Sequence, residues 1–190
     1  MFELTFSPEI IDFLEAQYSR AEGILEYGSG GSSVLGLSLK KQLAAVESDL
    51  EWLNRLKEHL VSLDLLSNFR GIYSDIGPTK EWGHPLKSGK NFQKFPSYAL
   101  LPWQTMNFAP DTILIDGRFR VACFIASATM TKRPITILFD DYLDRPQYHV
   151  IEEIFAKEYS VGRMGIFNIQ PNSISAQRLC DFSPDCVNAA

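Results

Sequence analysis

Five short apolar runs, alternating with segments of helical periodicity, constrain this chain more than any other feature. GILEY (23–27), LAAVES (43–48), FRGIYSD (69–75), TILID (112–116) and ITILFDD (135–141) are largely apolar, as strands buried on both faces require. Between them, Leu53, Leu56, Leu60 and Leu63 recur at helical spacing, as do Val121, Phe124, Ile125 and Ala128. A helix is expected from Ser32 or Ser33 to about Lys41, and another from Pro146 with Val150, Ile151, Ile154 and Phe155 inward. Ahead of the first strand, Ser7-Pro8-Glu9 is a helix-start signal, followed by Ile10, Ile11, Leu14 and Tyr18 on one face. Parallel strands need crossover connections, so the expected fold class is α/β: a doubly wound, mainly parallel, Rossmann-like sheet with helices on both faces. SVGRMGIFNIQ (160–170) adds one or two closing strands.

At 190 residues, 1–190 are expected to form a single domain with one core. Residues 76–110 break the rhythm, with prolines and glycines among Trp82, Phe92, Phe95, Tyr98 and Trp103; a stretch of this length reads as an insertion or lid. A net charge of −5 argues against nucleic acid as a partner, because such binding rests on a concentrated basic surface. The first twenty residues place acids among their apolar positions, so neither a signal peptide nor a membrane anchor is expected. Cys123, Cys180 and Cys186 are too few and too irregularly spaced for a disulfide framework or a zinc site, which points to the cytoplasm. The pattern carries no sign of oligomeric state.

The stretch ILEYGSGGSS (24–33) runs from the first strand into a loop of glycine and serine. In an open parallel sheet, ligands bind beyond the carboxyl ends of the strands. Gly28, Gly30 and Gly31 let backbone N–H groups approach a ligand there, with Ser29 and Ser32 between and after them. Glu47, ending the second strand, is placed to accept hydrogen bonds from ribose hydroxyls. A dinucleotide fingerprint requires glycine where Ser33 stands, and a pyrophosphate gains nothing from Glu26. A sulfonium ligand with an α-amino group is favoured by that carboxylate.

These residues resemble the class I S-adenosylmethionine-dependent methyltransferases. Their first motif is an acid, any residue, glycine, any residue, glycine, any residue, then glycine or a small residue; Glu26, Gly28, Gly30 and Ser32 fill those slots. The resemblance runs from Glu26 to the fifth strand. It implies S-adenosylmethionine as cofactor, held by Glu26, Gly28, Ser29, Gly30, Gly31 and Ser32, with Glu47 on the ribose and Asp75 near the adenine.

Asp116, Asp140 and Asp141 end the fourth and fifth strands on the same sheet edge, an all-oxygen set that suits magnesium. DDYLDRPQYHV also resembles small-molecule and sugar O-methyltransferases, which implies those three aspartates as Mg2+ ligands. The chain departs from that group at Asp116, Gly117, Arg118, Phe119, Arg120, where those enzymes commonly follow the first acid with Gly-Asp-His. Arg118 and Arg120 either hold a carboxylate or phosphate on the acceptor or neutralise the local aspartates. His84, in EWGHP, is the histidine placed to fold over the pocket as a base, and Trp82 beside it either grips an acceptor or covers the core.

The expected catalytic groups are therefore Asp116, His84 and Asp140, with Arg118, Arg120 and Trp82 on the substrate. The expected activity is methyl transfer, to oxygen, on a small molecule or saccharide. A catalytically inactive cofactor-binding or regulatory protein of the same fold, and an NAD-dependent oxidoreductase, are the alternatives.

Overall fold

The computed structural model describes residues 2–80, 83–86, 90–182, 184 and 187–189. Helix α1 (Pro8–Arg20) precedes a regular alternation: β1 (Gly23–Tyr27), α2 (Gly31–Ser38), β2 (Gln42–Glu47), α3 (Leu50–Ser62) and β3 (Phe69–Tyr73). It resumes with α4 (Phe95–Thr105), β4 (Thr112–Ile115), α5 (Arg120–Met130) and β5 (Ile135–Phe139), and closes with β6 (Tyr159–Val161), β7 (Met164–Ile169) and α6 (Ala176–Asp181). One seven-stranded sheet has the order β3-β2-β1-β4-β5-β7-β6. The first five strands are parallel, and the β6–β7 hairpin is antiparallel to β5. This is the doubly wound α/β sheet expected, with its order reversing between β1 and β4.

Strand periodicity divides the core. Leu25, Tyr27, Ala44, Val46, Ile113, Ile115, Ile137 and Phe139 face a cluster completed by α4 and α5. Their neighbours Ile24, Leu43, Ala45, Leu114 and Leu138 face α1, α2 and α3 through residues such as Leu14, Tyr18, Leu37 and Leu56. Phe124 on α5 packs edge-on to Phe167 at 5.0 Å and against Phe155 at 5.4 Å, anchoring the hairpin. No helix among the described residues is long and apolar enough to cross a membrane.

Two expectations about helices are corrected. Much of the segment expected as an irregular insertion is α4, whose Tyr98, Ala99 and Pro102 are buried. Its start is set by Pro96, but Pro102 inside it and the near-uniform apolarity of FPSYALLPWQT hide the period of 3.6. After β5, Pro146–Glu153 forms a 3-10 helix burying Tyr148 and Ile151 rather than an α-helix.

Candidate functional site

The carboxyl ends of β1, β2 and β4 border a cavity of about 600 Å³, the size of a nucleotide-class pocket, at the point where the strand order reverses. Gly28 takes φ +99°, a left-handed backbone that suits glycine, and its N–H donates to the Val46 carbonyl at 3.0 Å. A Cβ there would lie 3.1 Å from the Gly117 nitrogen, so the bare position lets the loops after β1 and β4 close on each other. Helix α2 begins at Gly31 with Gly30 as its cap, not at Ser32 or Ser33. The Ser33 hydroxyl instead accepts the Gly30 N–H at 3.2 Å and donates to Glu26.

Glu26 lies beneath the loop. It is fully buried, receives the Tyr18 hydroxyl at 2.7 Å as well as Ser33, and does not border the cavity. Strand parity explains this: Glu26 shares the β1 face of Ile24, which packs on α1 and α2. Burial pushes its carboxyl up to about 7, against the pull of the Ser33, Tyr18 and Ser32 hydroxyls. Its reach to a ligand is through the loop it ties down.

Ser29, Gly30, Gly31 and Ser32 do border the cavity, as does Glu47. One Glu47 oxygen accepts the backbone N–H groups of Ser48 at 2.7 Å and Asp49 at 3.1 Å, and the other accepts the Ser29 hydroxyl at 3.2 Å. Burial raises its pKa, while the Asp49 and Ser48 N–H groups oppose the rise. Asp75 stands elsewhere: it lines a neighbouring open recess, with its carboxylate on Lys94 at 2.5 Å and on the Gly77 N–H at 2.9 Å. The strand ends at Tyr73, two residues earlier, and the chain turns away before reaching the cavity.

Two parts of the wall were not legible in the sequence. Trp52, in the first turn of α3, borders the cavity, donates its indole N–H to the Ser29 carbonyl at 2.8 Å and meets Phe2 edge-on at 4.8 Å. Its only signal is that it lies off the leucine stripe, five residues after the strand-two acid. Residues 3–6 cross the glycine loop as a strap; a Cβ on Gly31 would lie 2.5 Å from the Glu3 carbonyl oxygen.

Asp116 and Arg118, from the loop after β4, also border the cavity, as does Gly83. Asp116, Asp140 and Asp141 do converge, each offering a carboxylate oxygen within 4.8 Å of the others. Three guanidiniums meet them. Arg120, with its side chain 3% exposed, pairs with Asp116 at 3.0 Å and Asp141 at 3.1 Å, and donates to the Gly117 and Asp140 carbonyls. Arg163, from the turn of the β6–β7 hairpin, holds both oxygens of the fully buried Asp140 at 2.7 and 2.9 Å and reaches Asp141 at 3.0 Å. Arg145 adds a pair to Asp141 at 2.8 Å.

A divalent ion does not fit this donor set, because the carboxylates that would attract it are already matched by fixed positive charge. Asp140 is a buried anchor that does not border the cavity, which corrects its expected catalytic place. Arg120 is likewise committed to aspartates and carbonyls rather than to a substrate. Burial drives the Asp116 carboxyl up to about 7; Arg120 opposes this, while Asp140 and Asp141 reinforce it. Asp141 and Phe119 both carry left-handed backbones, φ +57° and +53°, so the ends of β5 and β4 hold strained turns beside this cluster.

His84 is exposed and rests on Arg118, whose Nη1 lies 2.7 Å from its Nε2. Partial burial and the Arg118 charge lower its pKa, keeping it neutral. Trp82 lies outside the described residues. Cys123 is buried and donates its thiol to the Arg118 carbonyl at 3.3 Å.

No protein-family model and no curated protein matches the chain. Among solved structures it is similar to a methyltransferase-like protein from Silicibacter pomeroyi: 38% identity, a TM-score of 0.91, and 98% of each chain covered. An O-methyltransferase of Streptomyces achromogenes involved in tomaymycin synthesis, solved with S-adenosylmethionine, shares the fold at 13% identity and a TM-score of 0.61 over 89% of this chain and 82% of that one. So does an O-methyltransferase of Bacillus cereus in complex with S-adenosylhomocysteine, at 15% identity and 0.59 over 87% and 82%.

Proposed function

The chain belongs to the class I S-adenosylmethionine-dependent methyltransferase superfamily, among its methyltransferase-like proteins, and we propose that it methylates a hydroxyl of a small-molecule acceptor. One observation carries this reading: a single cavity joins a bare glycine loop, a ribose-type acceptor in Glu47 and a proton acceptor in Asp116. The bare glycine loop and the first-turn amides of α2 suit the amino-acid end of the cofactor, Glu47 the ribose hydroxyls, and the Trp52 ring the nucleoside face. When bound, the cofactor supplies a methyl carbon activated by its sulfonium, so attack by the acceptor oxygen leaves neutral S-adenosylhomocysteine and one proton to remove.

Asp116 is the group for that proton. It borders the cavity, and burial raises its carboxyl above the ordinary carboxylate range, toward accepting a proton near neutral pH. Arg120 keeps the Asp116 carboxylate in one orientation at 3.0 Å. His84 is a weaker base candidate, since its ring nitrogen receives an Arg118 N–H. From residues 76–110, Gly83 and Tyr98 supply the cover in this reading, since both border the cavity. The strap of residues 3–6 and Gly83 bound the cavity on two sides, which suits a small acceptor, a saccharide included, over a polymer. Magnesium has no step here.

Thermal-shift assays of the full chain with S-adenosylhomocysteine, S-adenosylmethionine and NAD test the proposal. At a hundredfold excess over Kd, a ligand that binds only the folded state adds about 2.7 kcal/mol, or roughly 5–10 °C for a chain of this size. The two sulfur nucleosides are expected to give such a shift, and Glu47→Gln to diminish it. Stabilisation by NAD alone would overturn the reading.

A further inference from the structure

We propose that Arg118 is the seat for an anionic group, a carboxylate or phosphate, carried by the methyl acceptor. The inference rests on the methyl-transfer reading above and names the acceptor's chemical class. Four arginines gather at this sheet edge. Arg120, Arg145 and Arg163 are each paired with aspartate. Arg118 makes no ion pair among the described residues, although it is only 8% exposed and borders the cavity.

Among the described residues its buried Nε has no hydrogen-bond partner, and its Nη1 meets only the His84 ring. Burial, and then Arg120, count most against its charge. A buried guanidinium with no counter-ion among the described residues is costly unless a ligand supplies one, and a carboxylate or phosphate does. His84 is a positioning residue in this arrangement, holding one edge of the guanidinium through Nη1.

Location favours the acceptor over the cofactor as the source of the anion. Arg118 follows Asp116 in the loop after β4, whereas Glu47 and Trp52, from β2 and α3, mark the nucleoside end; Gly83 packs between, where a Cβ would lie 3.7 Å from a Glu47 oxygen and 3.9 Å from the Arg118 Cγ. The cofactor's own carboxylate has the N–H groups at the start of α2 available to it. An acceptor held by its anion at Arg118 would present a nearby hydroxyl to Asp116, two residues away in the chain.

Calorimetry on the full chain separates the sources. S-adenosylhomocysteine is titrated first, onto wild type, Arg118→Gln and Arg118→Lys, with melting curves confirming that each variant is folded. Its Kd is expected to stay within about threefold across the three. Inorganic phosphate and benzoate are then titrated onto the nucleoside-saturated proteins. Wild type is expected to bind at least one of them tenfold or more tightly than Arg118→Gln, with Arg118→Lys between.

Equal anion affinity in wild type and Arg118→Gln, or none in wild type, would overturn the inference and leave the methyltransferase reading intact. A tenfold loss of S-adenosylhomocysteine in Arg118→Gln, with 5′-methylthioadenosine unaffected, would assign the guanidinium to the cofactor's carboxylate and also overturn it. Failure of wild type to bind S-adenosylhomocysteine at all would remove the reading on which it rests.

Discussion

Replacing Glu26 by glutamine tests what the buried carboxylate does. Burial moves the group from its ordinary 4.5 to about 7, which corresponds to about 3 kcal/mol of destabilisation once it is ionised. Because the folded value is raised, the destabilisation is absent below pH 4.5, grows as pH rises from there, and is complete once pH passes about 7. Between pH 5 and pH 8 the group therefore removes roughly 2–3 kcal/mol from the stability of the native protein. Glutamine keeps a carbonyl oxygen for the Ser33 hydroxyl and an amide that can donate to Tyr18, without an ionisable group. Urea unfolding at pH 5, 6, 7 and 8 is expected to show a falling stability in the wild type and a flatter profile in Glu26→Gln, with the variant equal or more stable at pH 8. Some slope of the same sign remains, since Asp116 is also raised to about 7. Parallel profiles, or a variant more than 2 kcal/mol weaker at pH 8, would refute the reasoning and show that the ionised carboxylate is what the hydroxyls hold.

Adding millimolar magnesium, or a chelator, is expected to move the melting temperature by less than about 1 °C; clear stabilisation by magnesium would show that the aspartates keep charge to spare. Arg120→Met strips Asp116 and Asp141 of a buried partner and is expected to cost about 3–5 kcal/mol in urea unfolding, a loss below 1 kcal/mol being contrary. Trp52→Ala is expected to weaken S-adenosylhomocysteine at least tenfold by calorimetry, about 1.4 kcal/mol, while the protein stays folded. Unchanged affinity would remove the indole from the nucleoside face.

The sheet was legible because β1, β2, β4 and β5 are buried on both faces and must be apolar almost throughout. Helix α4 was not, since its two prolines and its apolar outer residues mimic a loop. The glycine loop and Glu47 could be located from strand ends alone. The orientation of Glu26 could not, because a period of two says that a residue alternates, not which helices cover its face. Arg163 reaches Asp140 from a hairpin 23 residues away, and the strap of residues 3–6 meets Gly31 across α1 and β1. Such pairings depend on how strands are ordered, which local pattern does not encode. Arg118 carried the reverse signal: a cation at a position of acids was visible in the sequence, while its lack of a carboxylate partner among the described residues needed the packed structure.

The central claim, that the cavity at the ends of β1, β2 and β4 takes the nucleoside of a methyl donor, is tested most directly by a crystal structure with S-adenosylhomocysteine. The ribose hydroxyls are expected on Glu47, the base against Trp52 and the sulfur toward Asp116. Nucleoside density in the recess beside Asp75, with the strap of residues 3–6 sealing an empty loop, would contradict it.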